Sequence, residues 1–273
     1  MPKILIVVEA SGEEMAESLT ERMLSAQKHA IITSAYPHST VEVVAANSLQ
    51  HTIGVDLESK PSAFEDLASN DFVLCPLTLN LPDMPFQALA VYKACRDVTG
   101  LRQRAQQHGI AIANGCFWLP IVLTAKGTLY GEVIGLQLPS EERGQSNSNS
   151  ELTYPVHAID LKGKQLPEDL SLSDLSYYQP FHLSDGSRQQ LYQMGRCLLQ
   201  LLSAPPATYL VQFGFLDSGI CFDRLWPFPA APAIASLGVQ EPDLFTCHWY
   251  CLTGLPVLDL AIIPSSLADG TFS

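Results

Sequence analysis

Residues 3–9 (KILIVVE) form an almost unbroken apolar run, the pattern of a strand buried on both faces of a parallel sheet. Ser11 and Glu14 follow at the spacing of a capping box, and Met15, Leu19, Met23 and Ala26 recur at helical spacing. The two patterns together predict a βα unit. Residues 41–45 (VEVVA) predict a second strand, 63–69 a short helical piece and 71–77 (DFVLCPL) a third strand. Strands alternating with helices predict an α/β fold with a doubly wound, Rossmann-like parallel sheet. Helices are predicted over 87–97, after Pro85, and over 99–108, with Gly109 as a C-terminal stop; 110–113, 120–123 and 128–138 read as extended.

The polar, low-complexity stretch 144–150 (GQSNSNS) can bury nothing and reads as a loop or linker, dividing the chain into units at 1–143 and 151–273. In the second unit a strand is predicted at 152–159, then a loop rich in Leu and Ser. A helix over 187–202 follows, with Leu191, Met194, Leu198 and Leu201 as its apolar stripe and Pro205-Pro206 preventing its continuation. Residues 209–215 and 220–224 alternate about Asp217-Ser218-Gly219 like the strands of a β-hairpin. A loop punctuated by Pro227, Pro229 and Pro232 leads to a helix expected to start at Pro242 and stop at Gly254. No internal repeat is present.

Composition narrows the class. Charged residues make up 16% of the 273, against roughly 25% in an average soluble domain, and hydrophobic residues 47%. Much of the chain must be covered, by packing on both faces of a sheet or by an oligomer interface, so a homo-oligomer or a subunit of a complex is expected. A formal net charge of −13 disfavours nucleic acid and anionic membrane surfaces as partners, because both demand clustered Lys and Arg. No run approaches the length of a membrane span and no secretory pattern opens the chain. Seven scattered cysteines argue for reduced thiols. These features predict a cytoplasmic protein.

Candidate chemistry is sparse. Ser11 and Gly12 stand at a strand-to-helix junction whose free N–H groups suit a phosphate, but with one glycine and no phosphate-loop pattern the plainer reading is a capped helix. Cys247, His248 and Cys251 fall one helical turn apart without a second ligand pair, a pattern that a core-facing helix side also produces. Residues 71–81 (DFVLCPLTLNL) resemble the strand and turn near the flavin of the phosphopantothenoylcysteine decarboxylase family. That resemblance implies Thr78 and Asn80 as flavin contacts and FMN as a cofactor. Residues 114–118 (NGCFW) resemble the cysteine motif of peptide methionine sulfoxide reductases but continue with Leu119 and Pro120, so Cys116 reads as a small buried hydrophobe. Residues 219–227 (GICFDRLWP) resemble the nucleophile strand of nitrilases, whose early-strand glutamate has no counterpart at Cys75-Pro76-Leu77.

The broadest resemblance is to the ATP-grasp ligases, nearest carboxyaminoimidazole ribonucleotide synthase. It rests on Tyr154-Pro155-Val156, the helix 187–202, the strand ATYLVQF, the hairpin at Asp217-Ser218-Gly219, and Phe245, His248 and Gly254-Leu255-Pro256; in the first half, 97–110 is similar to the helix preceding the nucleotide-binding part. The resemblance implies an α+β ATP-grasp-like second unit and a magnesium nucleotide held by hairpin carboxylates. Here Gln212 replaces the first-strand glutamate, Phe222-Asp223 an asparagine–glutamate pair, and Pro227-Phe228-Pro229 a proline-arginine-proline turn. Asp217 and Asp223 are left as metal candidates and Lys126 as a phosphate contact, with too little chain for a lid. The expectation is an ATP-grasp-like pseudoenzyme without ligase activity, acting as a binding or regulatory protein, with ATP and magnesium disfavoured. The alternatives are a flavin-binding oxidoreductase or decarboxylase using the Glu9 to Gly12 turn and the Thr78 to Asn80 turn, or a structural subunit.

Overall fold

The computed structural model describes residues 3–9, 14–34, 40–49, 72–84, 86–137, 176–217 and 219–264. The opening apolar run forms β1 (Lys3–Val8), whose Ile4, Leu5, Ile6 and Val7 are buried. Two parallel neighbours, β2 (Thr40–Ala45) and β3 (Phe72–Pro76), flank it in the order β2-β1-β3, with Ile4 opposite Val41 and Val73. Helix α1 (Glu14–Thr33) carries Met23, Ala30 and Ile31 into the core beneath them. The expected helical piece at 63–69, the capping box at Ser11, the linker 144–150 and the strand 152–159 lie outside the described residues.

The second sheet is antiparallel. It consists of β4 (Phe117–Thr124), β5 (Gly127–Tyr130), β6 (Val133–Gln137), β7 (Ser176–Phe181), β8 (Ala207–Leu216) and β9 (Gly219–Trp226), in the order β7-β6-β4-β8-β9 with β5 pairing β4. The expected units 1–143 and 151–273 therefore share one sheet. One face is covered by α4 (Asp185–Leu201) through Leu191, Met194 and Leu198, and α2 (Leu89–Arg96) and α3 (Val98–Gln107) join the same core through Val91, Leu101 and Ala105. The other face meets α5 (Leu244–Thr253), whose Phe245, Cys247 and Trp249 pack in one cluster with Ile4, Ile6 and Leu74 of the parallel sheet. Helix α5 is thus the common filler between the sheets, and its Trp249 Nε1–H donates to Ser34 Oγ past the end of α1 at 2.9 Å. No helix among the described residues is long and apolar enough to cross a membrane.

Three expectations change. Residues 110–113 make only an isolated parallel bridge, Ile112 to Phe222, and the chain then leaves the strand direction, with Asn114 Oδ1 accepting from Arg102 and the Gly115 N–H donating to the buried Asp223. The expected Leu- and Ser-rich loop contains a strand, β7, whose SYYQPF sequence places Pro180 at a sheet edge where a missing N–H is tolerated. Helix α5 starts at Leu244 and not at Pro242, since Asp243 Oδ1 accepts the N–H groups of Phe245 and Thr246 at 2.9 and 3.1 Å. Gly254 ends that helix in the left-handed conformation at φ 72°, as its position after the apolar stripe predicts.

The Cys247, His248 and Cys251 cluster belongs to this core. Burial pushes the Cys251 thiol up to about 12 and raises that of Cys247 as well, which disfavours the thiolate form. His248 is fully buried, and its Nδ1 receives the N–H of Thr208 at 3.2 Å, so the ring is neutral with its proton on Nε2. Burial holds its pKa down at about 3, below the ordinary 6.5. Between those values the unfolded chain binds a proton that the folded chain does not. Its contribution is therefore complete above pH 6.5 and is lost as pH falls toward 3. Urea unfolding of the wild type should show about 2 kcal/mol less stability at pH 5 than at pH 7 from this group, and His248→Gln should flatten that part of the profile. Equal pH slopes in the two proteins would refute the assignment.

Gly115 has a different constraint: a Cβ there would lie 2.0 Å from the Phe213 carbonyl oxygen. Backbone cannot yield by that much without opening the sheet edge, so Gly115→Ala should destabilise the protein by about 3 kcal/mol in chemical denaturation. A loss within experimental error would show that the approach is looser.

Candidate functional site

In a doubly wound sheet a crevice opens at the carboxyl ends of the strands, where successive connections leave in opposite directions. With the order β2-β1-β3 that point lies between β1 and β3. Glu9 follows β1 directly, and Thr78 and Asn80 stand in the turn after β3. Thr78 Oγ1–H donates to Glu9 Oε2 at 2.5 Å, Asn80 Nδ2–H donates to the same oxygen at 3.0 Å, and the Asn80 backbone N–H donates to Thr78 Oγ1 at 3.1 Å. The Thr78 hydroxyl therefore accepts from one side and donates to the other. This relay fixes the carboxylate and leaves Oε1 without a hydrogen bond from the described residues.

The Glu9 cluster forms one wall of a cavity of about 530 Å³. The antiparallel sheet supplies the other wall through Trp118, Tyr177, Gln212 and Trp226, with Phe228 and Pro232 from the loop after β9 beside them. Trp118 meets Tyr177 edge to face at 5.4 Å, and Trp226 meets Phe228 in the same manner at 6.0 Å, so each ring is braced by another. Burial raises the Tyr177 phenol above its ordinary value, keeping it a donor at neutral pH. Arg96, the last residue of α2, is the one Lys or Arg in the described lining. The buried Tyr92 hydroxyl lies 3.2 Å from both the Pro76 and the Pro227 carbonyl oxygens, bridging the end of β3 to the loop after β9 behind the cavity.

Asp223 lies beside this cleft and is held differently. The β8–β9 register pairs Phe213 with Phe222 and Gln212 with Arg224, leaving Asp223 as the extra residue of a bulge. The residue is 4% exposed. Oδ1 receives Arg102 Nη2 at 2.5 Å, and Oδ2 receives the Gly115 N–H at 2.9 Å and Gln212 Nε2 at 3.2 Å. Gln212 is committed as well: Nε2 also donates to the Gly115 carbonyl at 2.7 Å, and Oε1 accepts Trp226 Nε1–H at 3.4 Å. Directly across the ladder from Gln212 stands Arg224, whose guanidinium lies 5.7 Å from the centre of the Trp226 ring. Magnesium requires several oxygen ligands at close range, whereas this face presents an amide, two guanidinium groups and a carboxylate paired with both of them, Arg224 Nε lying 3.6 Å from Oδ1. These side chains do not fit a magnesium ion. Among the described residues no three His, Cys, Asp or Glu side chains come together in a metal-holding group.

The remaining candidates separate in space. Lys126 sits in the β4–β5 turn, exposed, its N–H bonded to Thr124 Oγ1 at 3.1 Å. That turn adjoins the Ala207 end of β8, while Asp217 follows the Leu216 end, so the length of the ten-residue strand, roughly 30 Å, lies between them. Ser11 and Gly12 lie outside the described residues. Thr78 and Asn80 are brought together with each other and with Glu9. The sequence reading missed Arg96, Arg102, Trp118, Tyr177 and Trp226 as cleft or network residues. The polar Glu9 closing an apolar strand and the turn carrying Thr78 and Asn80 signalled the place; nothing local links Arg102 to Asp223 across 121 positions.

The chain matches no protein-family description and no curated protein at the level of sequence. Solved structures are similar in fold. Glycinamide-RNase-transformylase T from Mycobacterium tuberculosis is 13% identical, with a TM-score of 0.60 over 96% of this chain and 83% of that one. N5-carboxyaminoimidazole ribonucleotide synthetase from Thermotoga maritima is 10% identical, with a TM-score of 0.55 over 95% of this chain and 77% of that one. VanG D-Ala:D-Ser ligase from Enterococcus faecalis is 11% identical, with a TM-score of 0.54 over 93% and 99%. At such identities the likeness is one of fold, and the fold of this chain, a parallel sheet joined to an antiparallel one, resembles that of the ATP-grasp ligases over most of its length.

Proposed function

We propose that this chain is a small-molecule binding protein on an ATP-grasp-like fold and that it carries out no ATP-dependent ligation. The observation supporting this reading is the state of Asp223, the one hairpin position that keeps a carboxylate where the resemblance calls for a metal ligand. Arg102, Gly115 and Gln212 occupy its oxygens, and a magnesium ion would have to displace a guanidinium to reach it. Gln212 and Arg224 beside it add no negative charge to hold a magnesium nucleotide. The cleft at the ends of β1 and β3 is the binding site in this reading.

Asp223→Asn separates the two roles of the carboxylate. If Asp223 is a structural partner, the variant loses about 2 kcal/mol in metal-free buffer, because Arg102 keeps its charge and loses its counter-ion. Millimolar magnesium and ATP should then yield no ADP and no rise in Tm in either protein. ADP release, or a nucleotide-dependent rise in Tm that Asp223→Asn abolishes, would overturn the reading. Flavin is a second occupant for the same cleft, favoured by the presence of Thr78 and Asn80 in its wall. In that case the purified protein is yellow and Asn80→Ala releases the chromophore. A colourless preparation indifferent to FMN removes it.

A further inference from the structure

Two opposite charges line the same cavity without neutralising each other. Glu9 and Arg96 both border it, yet no ion pair joins them, and no salt bridge engages either among the described residues. The neighbouring cation on α2, Lys93, takes Asp83 in an ion pair at 2.5 Å, and Arg96 acts on that carboxylate only at longer range, so among the described lining residues Arg96 is the cation without a close ion pair. The carboxylate is pre-oriented. Thr78 and Asn80 both bond Oε2, and Oε1 is left open to a donor that none of the described residues provides. Between the charges the wall is aromatic, with Trp118, Tyr177 and Trp226 braced by edge-to-face contacts that hold their rings in place.

We propose that this cleft takes a zwitterionic aromatic small molecule, whose ammonium-type group bonds Glu9 Oε1, whose ring lies against the tryptophan-lined wall, and whose anionic group pairs with Arg96. The proposal rests on the binding-protein reading above and names the ligand class of that same site. Each element answers a separate cost of binding. The ring replaces water over apolar surface, as drug-sized ligands do in cavities of this size. The fixed carboxylate gives a charge-assisted hydrogen bond without having to order a free side chain. A purely cationic ligand would leave Arg96 unanswered, and a purely anionic one would face Glu9. The pair therefore selects for both charges on one molecule.

The test uses the full chain and three probes that share an indole ring: L-tryptophan with both charges, tryptamine with the cation alone, and indole-3-propionate with the anion alone. Isothermal titration calorimetry should rank L-tryptophan tightest. Glu9→Gln should weaken L-tryptophan and tryptamine by roughly tenfold and leave indole-3-propionate no weaker, while Arg96→Gln should do the reverse. Both positions are exposed, and circular dichroism of the variants should match the wild type. Absence of binding by all three probes, or equal affinities unchanged by Glu9→Gln, overturns the proposal. The binding-protein reading fails separately, through ADP release. Tryptophan binding that follows the charge pattern and is accompanied by ATP hydrolysis supports the ligand class and refutes the absence of ligation.

Discussion

A carboxylate inside a sheet is tolerated only when donors meet its oxygens, and Asp223 meets that demand by drawing three other segments of the chain onto itself. Arg102 arrives from α3, the Gly115 N–H from the segment before β4, and Gln212 from β8, while Asp223 sits in the bulge of β9. The bulge turns the extra side chain inward, and the glycine is required because any larger residue would strike the Phe213 carbonyl. Replacement of Asp223 by an apolar residue would leave the Arg102 charge without its counter-ion and the Gly115 N–H without its acceptor together. The local geometry of this sheet edge follows from satisfying one charge.

That network also sets the far wall of the cleft. Gln212 donates to Asp223 and to Gly115, accepts from the Trp226 indole, and itself lines the cavity. Trp226 is thereby fixed from both sides, by Gln212 through its ring nitrogen and by Arg224 and Phe228 across its faces and edge. The near wall is fixed independently by the Glu9, Thr78 and Asn80 relay. The Tyr92 hydroxyl and helix α5 join the two, so the cavity is bounded by elements whose relative position is set by buried contacts. A preformed cleft of this kind loses little on binding to ordering its own walls.

Local pattern carried much of the architecture. The run at 3–9 reads as a central strand because nothing polar interrupts it. The hairpin at 209–224 reads correctly because alternation and a turn triplet coincide, and Gly254 is legible as a helix stop. Strand β7 was not legible, since Tyr177, Tyr178 and Pro180 neither alternate nor form an apolar run, and the strand exists by pairing with β6 across 138–175. The start of α5 misled for a related reason: Pro242 and Asp243 both suit a helix start, and only the bonds of the carboxylate to Phe245 and Thr246 decide between them. Of the candidate site, Thr78 and Asn80 could be singled out by their turn. Glu9 could be singled out by the strand it closes, but its meeting with Thr78 and Asn80 and the aromatic wall depend on long-range placement that no local spacing records.

An amide and not a carboxylate at Gln212 has a consequence for its neighbours. Gln212 Nε2 lies 3.2 Å from Asp223 Oδ2, so a glutamate in that place would set two carboxylate oxygens against each other. Like charges at that separation in a half-buried site demand a bound cation or a raised proton affinity. An amide removes the repulsion and supplies a donor as well, which frees Arg102 to close the remaining side of Asp223. Arg224 then becomes compatible with the opposite ladder position, where it would otherwise compete with a metal for the same oxygens. Gln212, Arg224 and the Arg102–Asp223 pair are thus one electrostatic arrangement. A glutamate at 212 would meet an arginine across the strand and an occupied aspartate beside it, so a metal-holding face here would require several positions to change together.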